Sequence, residues 1–256
     1  MNQDTLTNSA NLEPQTATAA KSALQQLADP ERARHGELFF KTGPGHYGEG
    51  DKFLGVTVPN TRLVAARFKN LPVDEVAKLA HSSMHEHRLL AAIILSLRFH
   101  REKDVAAKAE QFAFYLKLAA ENCWNNWDLV DTSAPYFGMW LLTHPDDALL
   151  TRLANSTSLW DRRIAIMLTF AHIRAGVLQP TLRIARLLHG DEQDLIHKAV
   201  GWMLRELGKQ DNSALLSYLD STAATMPRTM LRYALEKQDD GTRKHYMGLA
   251  ALAGNR

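Results

Sequence analysis

The chain reads as an all-α protein built from paired antiparallel helices, on three grounds. Long segments rich in Ala, Leu, Ile and Met place apolar residues three or four apart: "HRLLAAIILSLRFHR" (87–101), "DRRIAIMLTFAHIR" (161–174) and "HKAVGWMLRELGK" (197–209). No segment sustains an apolar–polar alternation, so no sheet is expected. The helical segments also resemble one another, each opening on a charged or polar cluster and running into an Ala-rich stretch. With Arg88, Arg163 and Lys198 taken as equivalent, the intervals are 75 and 35 residues, and the missing unit falls near 126–131. A period of ~35–40 residues with paired helices is that of a HEAT-like/ARM-type α-solenoid, whose inner helices line one curved concave surface.

The elements follow in order. Residues 1–19 contain no Lys or Arg and no apolar signal-like run, so a disordered polar tail is expected there. One solenoid domain is expected over 20–250. "GPGHYGEG" (43–50) holds four glycines and a proline. It lacks the Gly-Lys-Ser/Thr ending of a P-loop and follows no strand, so it reads as a loop bridging the N-terminal helices to the solenoid. Its backbone amides could still approach a polyanion. His85, Glu86 and His87 read as a solvated helix start, because histidines at i and i+2 do not share a helix face. Pro59, Pro145, Pro180 and Pro227 fall at expected first turns. Ser158, three before Asp161, gives a capping-box-like start with Asp in place of Glu.

Composition narrows the function. The chain has 256 residues, 45% hydrophobic and 23% charged, which is ordinary globular material. Its only cysteine, Cys123, reads as a small buried hydrophobe beside Trp124 and allows no disulfide within the chain. No apolar run approaches the ~18–20 residues that span a bilayer. There is no Cys cluster, no His-Glu-x-x-His and no calcium-loop spacing, so neither a metal nor a cofactor is expected. Residues 1–150 carry 15 Lys and Arg against 18 Asp and Glu, whereas 151–256 carry 15 against 10. The basic C-terminal half favours a polyanion.

What remains is a set of tryptophans, a carboxylate and arginines. Trp127 and Asp131, at i and i+4, lie on one helix face. Near a helix N-terminus the dipole favours the ionised carboxylate. A carboxylate beside an electron-rich ring suits a developing positive charge. Trp160 and Arg163 repeat the arrangement one unit on, with a cation in place of the acid, and Arg163 could grip a phosphate through two parallel bonds. Taken singly, each tryptophan also reads as core packing, Asp131 as a helix-start acid and Arg163 as a solvated charge.

Together, "NWDLVD" (126–131), "SLWDRRIAI" (158–166) and "HKAVGWMLRE" (197–206) resemble the AlkD-type alkylpurine DNA glycosylases. "FFKTGPGHYGEGDKFLGVTVP" (39–59) resembles a glycine-rich version of that family's N-terminal segment, and the likeness runs over roughly 25–240. The resemblance implies a HEAT-like solenoid cradling duplex DNA. It places the catalytic aspartate at Asp131, its helix's tryptophan at Trp127, the site arginine at Arg163 and the second tryptophan at Trp202. An aromatic contact falls on Phe39, where well-known members carry tyrosine, so a hydroxyl is lost. It also implies excision without flipping the base into a pocket.

On that reading the enzyme hydrolyses the glycosidic bond of cationic N3- or N7-alkylpurines. Asp131 stabilises the sugar cation, Trp127 and Trp202 pack on the deoxyribose and backbone, and Arg163 holds a phosphate. Trp160, Lys198, Arg205, Lys209, Arg228, Arg232, Arg243 and Lys244 are further candidates for DNA contact. The expected partner is alkylated double-stranded DNA, the expected state a monomer without a membrane, and the expected location a bacterial cytoplasm with its nucleoid. The rival is a non-catalytic HEAT scaffold for DNA or protein, which would gain nothing from an acid aimed at phosphates.

Overall fold

The computed structural model describes residues 14–253. Among these the protein is all-helical and α-solenoid-like, and strand-type pairing is limited to an isolated bridge between Lys52 and Met84. Contacts divide the chain into two compact units, 1–94 and 95–256, with the boundary inside one helix. Phe39 belongs to the first unit. All the other candidate residues belong to the second.

The first unit holds α1 (Ala17–Gln25), α2 (Pro30–Phe39), α3 (Val58–Arg67), α4 (Val73–Ala80) and the start of α5 (His85–Arg101). Residues 1–13 of the expected tail lie outside the described residues. Its last residues do not match the expectation, because Thr16 caps α1 and Ala17 is buried in that helix. The Gly-rich stretch lies in the loop between α2 and α3, where Gly55 takes φ +79. Gly55 lies so close to Asp29 and Ala33 that a Cβ there would overlap their backbone.

The helix start expected to be solvated is instead buried. His85, Glu86, His87 and Arg88 are all under 9% exposed. Glu86 accepts backbone N–H bonds from Leu54 (2.9 Å), Gly55 (2.8 Å) and Val56 (3.2 Å), so its carboxylate ties the glycine loop to α5. Asp51 pairs with Arg88 at 2.6 Å, and the His85 ring lies 3.3 Å from the same carboxylate. His87 bonds Ser82 at 2.8 Å, and burial pushes its imidazole down to about 4. His85 and His87 do not share a helix face, but the loop wraps over the helix start and buries both.

The second unit continues through α6 (Val105–Ala120), α7 (Trp127–Thr143), α8 (Asp147–Ala154), α9 (Leu159–Leu168), α10 (Phe170–Arg174), α11 (Gln179–Leu187), α12 (Asp194–Gln210), α13 (Asn212–Thr222), α14 (Arg228–Ala234) and α15 (Asp240–Ala253). Helices α7, α9, α12 and α14 each pack on the next, and α8 packs on α11 behind them. The first helices of these pairs start at 127, 159, 194 and 228, that is 32, 35 and 34 residues apart, close to the expected period. Two pairs of neighbouring helices in this row, α7 with α9 and α12 with α14, approach closely at glycines. A Cβ on Gly138 would overlap the Leu168 carbonyl oxygen, and one on Gly201 the Met230 carbonyl oxygen. Ion pairs also clamp one repeat to the next: Arg183 reaches back to Asp147 at 2.6 Å, and Arg162 forward to Asp191 at 2.6 Å.

Local signals fare unevenly. Pro59 and Pro180 sit in the first turns of α3 and α11. Pro145 instead precedes the Asp146 cap of α8, and Pro227 is itself the cap residue of α14. Ser158 caps α9, but Asp161 bonds Ser156 at 2.8 Å rather than closing a reciprocal box. The single helix expected over 161–174 is interrupted at Thr169, whose hydroxyl bonds the Ile166 carbonyl at 2.7 Å and competes with the helix ladder.

Candidate active site

Helix α7 opens at Asn126, which is fully buried and accepts the Trp127 N–H through its side chain at 2.9 Å. This cap fixes where the helix begins, and therefore which face Trp127 and Asp131 share. Beneath them Tyr115, buried on α6, lies 3.1 Å from Ser133, which bonds the Leu129 carbonyl at 2.7 Å. Pro135 has no N–H to offer the Asp131 carbonyl four residues earlier.

Arg163 on α9 meets Asp131 in a two-bond grip. Its Nε donates to Oδ1 at 2.9 Å and its Nη2 to Oδ2 at 2.7 Å. Its Nη1 donates to the Leu195 carbonyl in the first turn of α12. One guanidinium thus joins α7, α9 and α12. The Asp131 side chain is 15% exposed and that of Arg163 5%. Burial raises the Asp131 carboxyl above its ordinary value, and Arg163 opposes that rise. The expectation that the helix terminus governs this group is thereby corrected: Asp131 stands a full turn into α7, where desolvation is the larger effect.

Arg163 itself departs from expectation. The parallel pair of donors expected to hold a phosphate is occupied by Asp131, and three of its five N–H groups are already committed. Its placement makes it a holder of the carboxylate.

Trp127 is half-buried on α7 and Trp202 half-buried on α12. Trp202 is fixed from two sides. Its indole N–H donates to Glu206 at 3.1 Å, and the Phe170 ring stands 6.2 Å away, tilted by 46°. Trp160, expected to touch DNA, is only 8% exposed and belongs to the core. The helix starts explain this. Trp127 is the first residue of α7, whereas Trp160 is the second of α9, one residue and about 100° further round. The true equivalents are Asp131, Arg163, Lys198 and Arg232, each the fifth residue of its helix.

Among the basic candidates, Arg232 and Lys244 are exposed. Arg228 is exposed and donates to the Met247 carbonyl at 2.6 Å. Lys198 pairs with Asp194 at 2.7 Å, and Lys209 with Glu206 at 2.8 Å. Arg205 is held by both Glu206 and Glu236. Arg243 bonds the Glu236 and Gln238 carbonyls near Asp240. Phe39 is 56% exposed at the end of α2, with the His35 ring 6.5 Å away and the Phe40 ring 5.0 Å away.

The sequence profile of the family described as DNA alkylation repair enzyme matches residues 20–238. The chain belongs to that family. A comparison with curated proteins gave no match. Among solved structures, one described as a predicted DNA alkylation repair enzyme from Enterococcus faecalis is similar in fold. Its TM-score is 0.64 at 16% identity, covering 83% of this chain and 97% of that one. The family's role is DNA repair. No helix among the described residues is long and apolar enough to cross a membrane.

Sequence reasoning missed three contributors. Asn126 was visible as an Asn directly before the helix start. Glu206 was visible as an acid four after Trp202. The Leu195 carbonyl carried no sequence signal, since every residue has one.

Proposed function

We propose that the protein is a monofunctional DNA glycosylase that hydrolyses the N-glycosidic bond of purines made cationic by alkylation at N3 or N7, in duplex DNA. One observation carries this reading: the largely buried Asp131 carboxylate, gripped at both oxygens by Arg163, on the helix face that also bears half-buried Trp127. A face built only to bind phosphates gains nothing from a rigidly held acid.

The chemistry follows from charge. The alkylated base departs with the electron pair of the C1′–N bond and becomes neutral. Positive charge passes to the sugar, which becomes oxocarbenium-like. The Asp131 carboxylate, already oriented by Arg163, stabilises that cation without having to reorganise. Each carboxylate oxygen keeps a lone pair beyond its bond to Arg163, so Asp131 can also accept a hydrogen bond from the water that attacks C1′. That water delivers hydroxyl to the sugar and releases a proton. Trp127 and Trp202 offer ring faces to the deoxyribose and backbone. None of these side chains is suited to reading a base edge, which supports a lesion left in the helix rather than flipped into a pocket.

The test is single-turnover release of 7-methylguanine from a duplex. Asp131→Asn keeps the shape and removes the charge, so the rate should fall on the order of 10²–10³-fold while duplex binding holds or tightens. A wild-type protein that binds the duplex and releases no base is a DNA-binding scaffold instead.

A further inference from the structure

Glu206 lies outside the residues assigned to the reaction, yet it binds Trp202, Arg205 and Lys209 together. Its Oε1 accepts the Trp202 indole N–H at 3.1 Å, and Arg205 at 3.3 Å and 3.2 Å through Nε and Nη2. Lys209 donates to both of its oxygens at 2.8 Å. The Glu206 side chain is 16% exposed. Residues 202, 205, 206 and 209 stand at i, i+3, i+4 and i+7 of α12, so the four share one face.

A surface acid between two cations would be unremarkable, since such pairs contribute little. The indole bond is different. Trp202 has a single polar hydrogen, and that hydrogen fixes the ring about its last torsion, against Phe170 on the other side. We propose that Glu206 is a positioning residue with two effects: it sets the plane of the Trp202 ring, and it neutralises Arg205 and Lys209 until DNA phosphates compete for them. The inference deepens the glycosylase reading and rests on it for its catalytic consequence.

Two substitutions separate the effects. In Glu206→Gln the amide carbonyl still accepts the indole N–H, but the negative charge is gone. In Glu206→Ala both are gone. The ring should stay placed in Glu206→Gln, with excision of 7-methylguanine near the wild-type rate. Affinity for undamaged duplex should rise, and its salt slope should steepen by about one unit as Lys209 is released, because Glu236 still holds Arg205. Glu206→Ala should bind duplex equally well but excise roughly 10–100-fold more slowly at saturation, because a displaced ring misplaces the sugar. A second readout needs no activity. The Trp202 indole N–H resonance, assigned by its loss in Trp202→Phe, should be protected from solvent exchange in wild type and Glu206→Gln, and exposed in Glu206→Ala.

Glu206→Gln as slow as Glu206→Ala would overturn the positioning role, as would a wild-type Trp202 N–H that exchanges freely. An unchanged salt slope in Glu206→Gln would overturn the neutralising role. If the wild type releases no base, the glycosylase reading fails by itself, and the exchange measurement still decides whether Glu206 places the ring.

Discussion

Arg163 holds both carboxylate oxygens of Asp131 across 32 residues of sequence, and it spends its best pair of donors doing so. The geometry matters because Asp131 is largely buried. A buried carboxylate without a partner takes up a proton, whereas one gripped at both oxygens can stay charged and aimed.

The first prediction follows from that balance. Burial raises the Asp131 carboxyl and Arg163 lowers it. In the proposed mechanism excision needs the ionised form, so activity should fall as pH drops through the raised value, above where an ordinary Asp would titrate. Arg163→Gln removes the lowering influence and leaves the burial, so this acid limb should move to still higher pH. Stability moves the other way. A folded-state value raised further contributes stability below the unfolded value and loses it as pH rises through the folded one. Arg163→Gln should therefore lose about 3–5 kcal/mol near neutral pH, and less in acid where Asp131 is protonated. Rate–pH profiles and denaturant melts at two pH values check both. An unmoved acid limb would mean that another group controls the reaction.

The ion pairs rank the basic residues for DNA binding. Arg232 is exposed, so Arg232→Ala should flatten the salt slope of duplex affinity by about one unit if it contacts one phosphate. Arg205 is held by Glu206 and Glu236, so Arg205→Ala should change the slope less. Equilibrium binding between low and moderate salt measures both. Equal effects would show that the acids release Arg205 at no net loss.

Lesion choice should follow charge rather than size. In the proposed mechanism Asp131 attracts a cation, and none of the side chains assigned to it reads a base edge. The protein should release bulky N7-alkylguanines as well as 7-methylguanine, and leave neutral hypoxanthine and 1,N6-ethenoadenine in place. A panel of duplexes carrying one lesion each tests this. Efficient release of a neutral base would reveal a pocket that selects by shape.

In the first unit, Glu86 closes the glycine loop through three backbone N–H groups. Glu86→Gln keeps the size but loses the charge and turns one acceptor into a donor facing N–H groups. The loss should be about 2–4 kcal/mol, read from a denaturant melt or from faster amide exchange at Leu54, Gly55 and Val56. An unchanged melt would mean that the loop is held by its packing.

The features legible in the chain alone are local and periodic. Apolar spacing gave the helices and their repeat, because burying one stripe of a helix imposes a 3.6-residue rhythm on the chain itself. The neighbourhood of Trp127 and Asp131 was legible for the same reason: four residues along a helix always share a face. Helix packing settles which charge meets which. The same rhythm allowed Arg163 to face a phosphate or Asp131, and the packing of α9 against α7 put the carboxylate first. A one-residue offset in the start of α9 sent Trp160 into the core. A loop folding over α5 buried His85, Glu86 and His87, which the chain around them presents as polar. Ion-pair partners and burial depend on neighbours distant in sequence, so they are set when helices and loops pack.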